Sequence, residues 1–218
     1  NSSQWLPLYL EAVNKQLERN FEIVFVDANS TDDSVQLIRD FEFREGIEAT
    51  LIKSEERIGI YTAWNRAIKE AQGQYVINWN TDDLIYPSGL QIYNQYIEKY
   101  PEIDFFYSPC CTIGSQNFDD ITGFRNWPQY SHEILLRLCL GGPFPLVKKS
   151  AIEECGFFKE KYLSSGDYEM WLNLSKRGFK FKKIPDIIGC FYQREDSVSM
   201  DNLKIAQEED REIQQLHK

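Results

Sequence analysis

Through its first hundred residues the chain alternates apolar, strand-like runs with helix-periodic segments at short spacing. Phe21-Glu22-Ile23-Val24-Phe25-Val26, Ala49 to Lys53 and Tyr75 to Trp79 read as strands. Residues 4–18 read as a helix with Trp5, Leu8, Val13 and Leu17 along its stripe. Val35, Leu37, Ile38 and Phe41 carry a second helix, with Ser30 or Thr31 as its N-cap. Tyr61 to Ala71 form a third, with Gly73 as its C′ stop. Strands that are apolar on both faces and joined through helices predict a largely parallel α/β sheet with helices on its faces.

The alternation loosens after residue 101. Asp104 to Ser108 read as a strand, and residues 115–130 as a polar loop. Ser131 caps a helix expected to run to Leu140, where Gly141-Gly142 ends it. Short helices over 149–155 and 167–177 stop at Gly156 and Gly178. Strands are expected near 180–184 and 187–192, and a charged helix over 203–217. No linker or repeat divides the chain. The predicted organisation is one large domain over residues 1–200 and a C-terminal helix over 201–218.

Several strand-like runs end in carboxylates. Asp27 follows Val26, and Asn80-Thr81-Asp82-Asp83 follows the run ending at Trp79. In open α/β sheets ligands bind outside the carboxyl ends of the strands. Two adjacent Asp can hold a hard divalent cation that bridges a diphosphate, so a nucleotide-linked substrate is indicated. The net charge of −10 argues against non-specific nucleic-acid binding, which needs a basic surface. Five cysteines lack any C-x-x-C pair and fit reduced, buried thiols of a cytoplasmic protein. With only two histidines a zinc site is not expected. No apolar run is long enough for a transmembrane segment, so any membrane association would be peripheral, at the inner face.

Four segments, in order, resemble family 2 inverting glycosyltransferases, which have the A-type nucleotide-diphospho-sugar transferase fold. Val26-Asp27-Ala28-Asn29-Ser30-Thr31-Asp32 is similar to that family's V-D-D-G-S-T-D. The stretch Glu56 to Ala67 is similar to its G-I-Y-D-A-x-N-x-G, Asn80 to Asp83 to its D-x-D-D, and Gly166 to Trp171 to its E-D-x-x-x-W. The resemblance implies a mixed, mostly parallel sheet flanked by helices. It also implies a nucleoside-diphosphate sugar donor, a hydroxyl acceptor on a glycan or glycoconjugate, and Mn²⁺ or Mg²⁺ as cofactor.

It further implies residue roles. Asp27 would bind the base, and Arg57 and Gly59 would wrap the nucleotide. Asp82 would touch the ribose or share the metal, and Asp83 would ligate it directly. Asp167 would be the general base, and Trp171, four residues on, the acceptor-side wall. Each has a plainer rival. Asp27 caps the next helix, Arg57 is a solvated charge, Asp82-Asp83 is a polar turn, Asp167 complements a helix dipole, and Trp171 is core. Asn65 reads as structural. Phe118, Phe124, Trp127 and Tyr130 are candidates to stack on an acceptor sugar, or to pack.

The sequence departs from the pattern in places. Asn80 replaces a carboxylate, and Gly166 the usual Glu before the base. Arg194 stands where the family often has His, and its fork would suit a diphosphate. The family's first strand is expected before Asn1, which leaves the sheet short of a central member, the base pocket incomplete and the chain by itself inactive. Two rival functions remain at this point: a nucleotidyltransferase that makes the nucleotide-sugar, and a non-catalytic carbohydrate-binding domain. Oligomeric state is left open.

Overall fold

The computed structural model describes residues 1–193 and 203–218. In chain order the elements are α1 (Leu6–Asn14), β1 (Glu22–Asp27), α2 (Ser34–Asp40), β2 (Glu48–Lys53), α3 (Ile60–Glu70), β3 (Tyr75–Ile77), β4 (Leu84–Ile85), α4 (Gly89–Lys99) and β5 (Phe105–Tyr107). There follow β6 (Cys110–Ile113), β7 (Ile121–Arg125), α5 (His132–Leu135), β8 (Leu146–Lys148), α6 (Lys149–Glu154), α7 (Gly166–Lys176), β9 (Phe181–Lys183), β10 (Gly189–Tyr192) and α8 (Leu203–His217).

The architecture is α/β with mixed sheets and helices packed on them. β1 and β2 run parallel, with Asp27 opposite Lys53 at their ends. A second sheet has the order β3-β8-β5-β9, where β8 runs antiparallel to both β3 and β5 while β9 is parallel to β5. The third, β4-β10-β6-β7, contains the parallel pair β6–β10. Antiparallel neighbours are more frequent than the early alternation suggested. The return strand β8 and the β6–β7 hairpin insert reversed strands among the crossovers. Among the described residues β1 bonds only to β2, and β3 only to β8. A groove of about 370 Å³ lies between them, lined by Phe21, Ile23, Tyr75 and Ile77.

α1 is shorter than expected and rotated. Pro7 suits a helix start, and Lys15 closes the last turn. Its buried face is Leu6, Tyr9, Leu10 and Val13, whereas Leu8 and Leu17 are exposed. Neither Ser30 nor Thr31 caps α2: the N-cap position is Asp33, and Thr31 N–H instead donates to Asn1 Oδ1 at 2.8 Å. Gly73 is not a left-handed stop either. α3 ends at an extended Ala71, and the Gln72 and Gly73 N–H groups donate to Glu22 Oε1 of β1. α5 stops at Leu135, because Arg137 N–H turns back to Ile134 O at 3.0 Å, and Gly141 and Gly142 then take positive φ. Gly156 and Gly178 end their helices at positive φ, as expected.

The largest core cluster gathers Tyr61, Phe105, Tyr107, Phe158, Tyr168 and Trp171 around α7. α7 is buried on most of its surface because it lies under α5, α6 and α8. The five cysteines are free thiols. Among the described residues no helix is long and apolar enough to cross a membrane.

Candidate active site

Tyr9 holds the ends of β1 and β3 on one side of the molecule. Its ring packs 6.2 Å from Phe25, near the end of β1, and 4.9 Å from Trp79, just past β3, and its hydroxyl donates to Trp79 O at 3.2 Å. Asp27 closes β1 and is only 8% exposed. Both its carboxylate oxygens accept Ser30 N–H at 3.2 Å, which makes it the organiser of its own turn. The first three residues brace that turn. Asn1 reaches Ser30 and Thr31, Ser2 N–H donates to Ser34 Oγ, and Ser3 N–H donates to Asp32 Oδ2. Burial pushes the Asp32 carboxyl up, but the Ser34 hydroxyl and N–H and the Ser3 N–H, all donating to it, hold it below the usual range.

The turn after β3 is built around Asp83. Trp79 Nε1 donates to Asp83 O at 3.0 Å, and Asp83 N–H to Asn80 O at 3.1 Å. The Asp83 carboxylate is 1% exposed and accepts Tyr192 N–H at 2.9 Å and Asn80 Nδ2 at 3.3 Å. A carboxylate at Asn80 would repel Asp83 where the amide donates to it. Asp83 faces inward, and Asp82 is the more open carboxylate of the pair. Tyr192 closes the circuit, with its ring 5.3 Å from Trp5, at the head of α1.

From Asp27 a second path leads to Asp167. Ser54 N–H donates to Asp27 O at 2.9 Å, so the loop after β2 starts beside the end of β1. That loop carries Arg57, which is exposed, and Gly59, whose Cα faces open space. It then enters α3, where the Tyr61 hydroxyl donates to Ser164 O at 2.6 Å and to Asp167 Oδ1 at 3.3 Å. Asp167 lies in the first turn of α7 and keeps partial contact with solvent. Crowding by protein atoms raises its carboxyl from 3.8 to about 6, against the Tyr168 N–H and Tyr61 bonds that favour the anion, with Asp210 adding to the rise.

Asp27 is bonded to Ser54 at the head of the loop that carries Arg57 and Gly59 into α3, and α3 reaches Asp167 through Tyr61, while Asp82 and Asp83 sit in the separate turn after β3. Trp171 belongs to neither group. It is 2% exposed, and its ring packs edge-on to Phe105 at 4.6 Å and to Phe158 at 5.8 Å. Position i+4 from Asp167 points into the core here because α7 is covered on most sides, which corrects the acceptor-wall expectation. Arg194 lies outside the described residues. Of the aromatic candidates, Phe118 stacks on Tyr86, Tyr130 on Phe181, and Trp127 covers Gly142, while Phe124 is exposed on β7. Asn65 is structural: it bonds Phe158 through its N–H and C=O and reaches Glu160.

Two features escaped the sequence reading. One is Tyr61, inside a quoted motif but given no role. The space it fills explains Gly166, because a Cβ there would meet the Tyr61 ring at 2.7 Å. The other is Glu209 on α8, whose carboxylate accepts N–H groups just before Asp167. Spacing gave no signal for a contact more than forty residues away.

Asp82 and Asp83 offer hard oxygen donors suited to Mg²⁺ or Mn²⁺. Among the described residues no group of three His, Cys, Asp or Glu gathers to hold a metal. Two carboxylates on one turn would suit a cation that takes further ligands from phosphate oxygens.

Residues 1–145 match the family model described as Glycosyl transferase family 2. The chain is 25% identical to the chondroitin synthase of Escherichia coli, over 95% of this chain but 30% of that protein. Its structure is similar to that of S. aureus TarS 1–349 in complex with UDP, with a TM-score of 0.74 and 16% identity over 100% of this chain and 68% of that one. It is also similar to the mannosyltransferase PcManGT of Pyrobaculum calidifontis in complex with GDP-Man and Mn²⁺, with a TM-score of 0.71 and 19% identity over 94% of this chain and 57% of that one. The chain thus spans less than two thirds of two of these three proteins.

Proposed function

Since the chain belongs to glycosyl transferase family 2, we propose that it moves a sugar from a nucleoside-diphosphate sugar to a hydroxyl acceptor of a glycan or glycoconjugate, with inversion. The observation that supports this reading is the connection from Asp27, bonded to Ser54, along the chain over residues 54–61 to Tyr61, which bonds Asp167. It joins the strand end where a nucleotide would sit to a partly shielded carboxyl with a raised proton affinity.

Asp27 and the backbone of its turn would face the base, and Arg57 and the Gly59 N–H would face the diphosphate. Asp82, backed by Asp83, would hold Mn²⁺ or Mg²⁺ together with phosphate oxygens. The metal would offset charge on the departing diphosphate. A carboxyl near 6 is ionised at neutral pH yet basic enough to accept a hydroxyl proton. Asp167 takes that proton as the acceptor oxygen bonds to the anomeric carbon. The bond from that carbon to the diphosphate oxygen breaks, and its electron pair leaves with the nucleoside diphosphate. A single displacement from the opposite face inverts the anomeric configuration. Support for the donor class comes from UDP and GDP-Man in the two similar structures, and support for a polysaccharide product from the chondroitin synthase relative.

The test is a donor screen on the full-length protein, with UDP- and GDP-sugars, Mn²⁺ or Mg²⁺, and glycan acceptors. Release of nucleoside diphosphate with a new glycosidic bond of inverted configuration is the expected result. Release of pyrophosphate would indicate a nucleotidyltransferase. Sugar binding without release of either product would indicate a non-catalytic carbohydrate-binding domain.

A further inference from the structure

Helix α8 docks on the start of α7 through one carboxylate. Glu209 accepts three successive backbone N–H groups: Leu163 at 2.7 Å on Oε1, then Ser164 at 3.0 Å and Ser165 at 2.8 Å on Oε2. Ser165 is the N-cap residue of α7, and Asp167 lies two residues on. Ser165 Oγ also donates to Ala206 O at 3.4 Å. From the other side Tyr61 donates to Ser164 O at 2.6 Å. The loop ahead of Asp167 is therefore held by its N–H groups from α8 and by a carbonyl from α3.

Anchoring α8 did not require this arrangement. The helix has other attachments: Glu212 to Lys161 at 2.6 Å and to Tyr162 at 3.2 Å, Gln214 to Tyr168 at 3.3 Å, and His217 beside Glu169 at 3.7 Å. Glu212 and Lys161 are both half-exposed, and such pairs are worth little. Three N–H groups converging on one carboxylate form charge-assisted bonds, which are stronger and directional. They fix the backbone from which the Asp167 side chain departs.

We infer that Glu209 is a positioning residue for Asp167, so that α8 completes the active site although it need not touch substrate. This rests on the reading of Asp167 as base. The groups facing Asp167 are Tyr61 from α3, Asp210 from α8, and Cys139, which follows α5 and whose thiol burial keeps neutral. Releasing the loop would let water reach Asp167 and lower its proton affinity.

The experiment uses Glu209→Gln in the full-length protein, because the amide keeps one acceptor oxygen but places an NH₂ donor against the remaining N–H, so the three bonds cannot all be kept. Hydrogen exchange at the amides of residues 163–165 should speed up about tenfold or more, while exchange within Met170 to Leu174 stays unchanged. Carbon NMR should show the Asp167 carboxyl titrating well below the wild-type midpoint, toward the ordinary carboxylate range. Glu212→Gln, which removes α8 bonds to Lys161 and Tyr162 but none to the amides of residues 163–165, should move neither reading. With a donor in hand, kcat should fall about tenfold or more at unchanged donor KM. Unchanged exchange, or an unchanged Asp167 midpoint, overturns the inference. If Glu209→Gln does not fold, Glu209→Asp keeps the charge with a shorter reach, and it must shift the same midpoint in the same direction or the inference fails. Exchange and titration are read without turnover, so they stand apart from the base assignment, which Asp167→Asn tests.

Discussion

The Asp167 carboxyl carries opposed influences, and their balance sets two measurable pH dependences. Burial lifts it from 3.8 to about 6, while the Tyr168 N–H and Tyr61 hydroxyl bonds pull it back. As a base it works only when ionised, so kcat should climb with pH and level off above about 6. Stability runs the other way. The folded state holds the proton more tightly than the unfolded chain, so this contribution is fully present below about 4 and lost as pH rises to about 6. Asp167→Asn should lower kcat by about 10²–10⁴-fold with little change in donor affinity. It should also raise stability at pH 8, by up to ~2 kcal/mol, but not at pH 4. Turnover near the wild-type level, or a donor affinity that falls with the rate, would remove Asp167 from the base role. Asn80 offers a second residue-scale test. Asn80→Asp places like charge beside Asp83, at the position where the amide donates across 3.3 Å. It should lower Tm in the presence of a chelator and recover part of the loss when Mn²⁺ is added. Indifference to Mn²⁺ would count against a cation at this turn.

Among the elements, α3 and α7 act as a pair, because Tyr61 bonds both Ser164 and Asp167. Tyr61→Phe keeps the ring that fills the space over Gly166 but drops the hydroxyl. The cost should be about 1–2 kcal/mol, measured by denaturant unfolding. The acid limb of kcat should also move to higher pH, since the lost bond favoured the Asp167 anion. A limb that moves down would show that the hydroxyl acts only on Ser164. How much was legible from sequence follows the same division. The α8 boundaries, Leu203–His217, could be read because a long charged helix has a clear period. β4 has only two residues, too few for any period to show. β7 falls in the stretch read as a polar loop, yet its Gly123 lets the strands approach: a Cβ there would meet Thr112 Oγ1 at 2.8 Å. The strand-end carboxylates were legible because each follows an apolar run. Which of Asp82 and Asp83 faces outward was not, because the Tyr192 N–H that turns Asp83 inward arrives from more than a hundred residues away. Trp171 was misread for a related reason: helical spacing gives a face, but only the packing of α5, α6 and α8 around α7 says whether that face meets solvent.

Across the whole molecule the site is assembled from parts that share few direct contacts. α1 and the first residues brace the Asp27 turn, β10 braces Asp83, and α3 and α8 brace Asp167. Among the described residues no strand pairing joins β1 to β3, and Tyr9 and the Trp5–Tyr192 contact link the regions of the Asp27 turn and the Asp82-Asp83 turn. A ligand that bridges both turns would add a further coupling between them, and the stabilisation would be felt globally. For a ligand at a hundredfold excess over its Kd the gain is about 2.7 kcal/mol. In a domain of this size that amounts to a Tm rise of roughly 5–10 °C. UDP or GDP with Mn²⁺ should produce a shift of this order in the full-length protein, and either nucleotide without metal a clearly smaller one, because the cation is proposed to be shared between Asp82 and the diphosphate. Asp82→Asn should erase the difference between the two conditions while leaving the metal-free shift in place, since the base would still sit at Asp27. Asp27→Asn should instead reduce both shifts. Calorimetric melts of the three proteins with and without Mn²⁺ separate these outcomes. If the metal-dependent part survives in Asp82→Asn, the cation is held elsewhere and the reading of the second turn is wrong. If no nucleotide shifts the wild-type Tm at any concentration, the strand-end carboxylates do not form a nucleotide site at all.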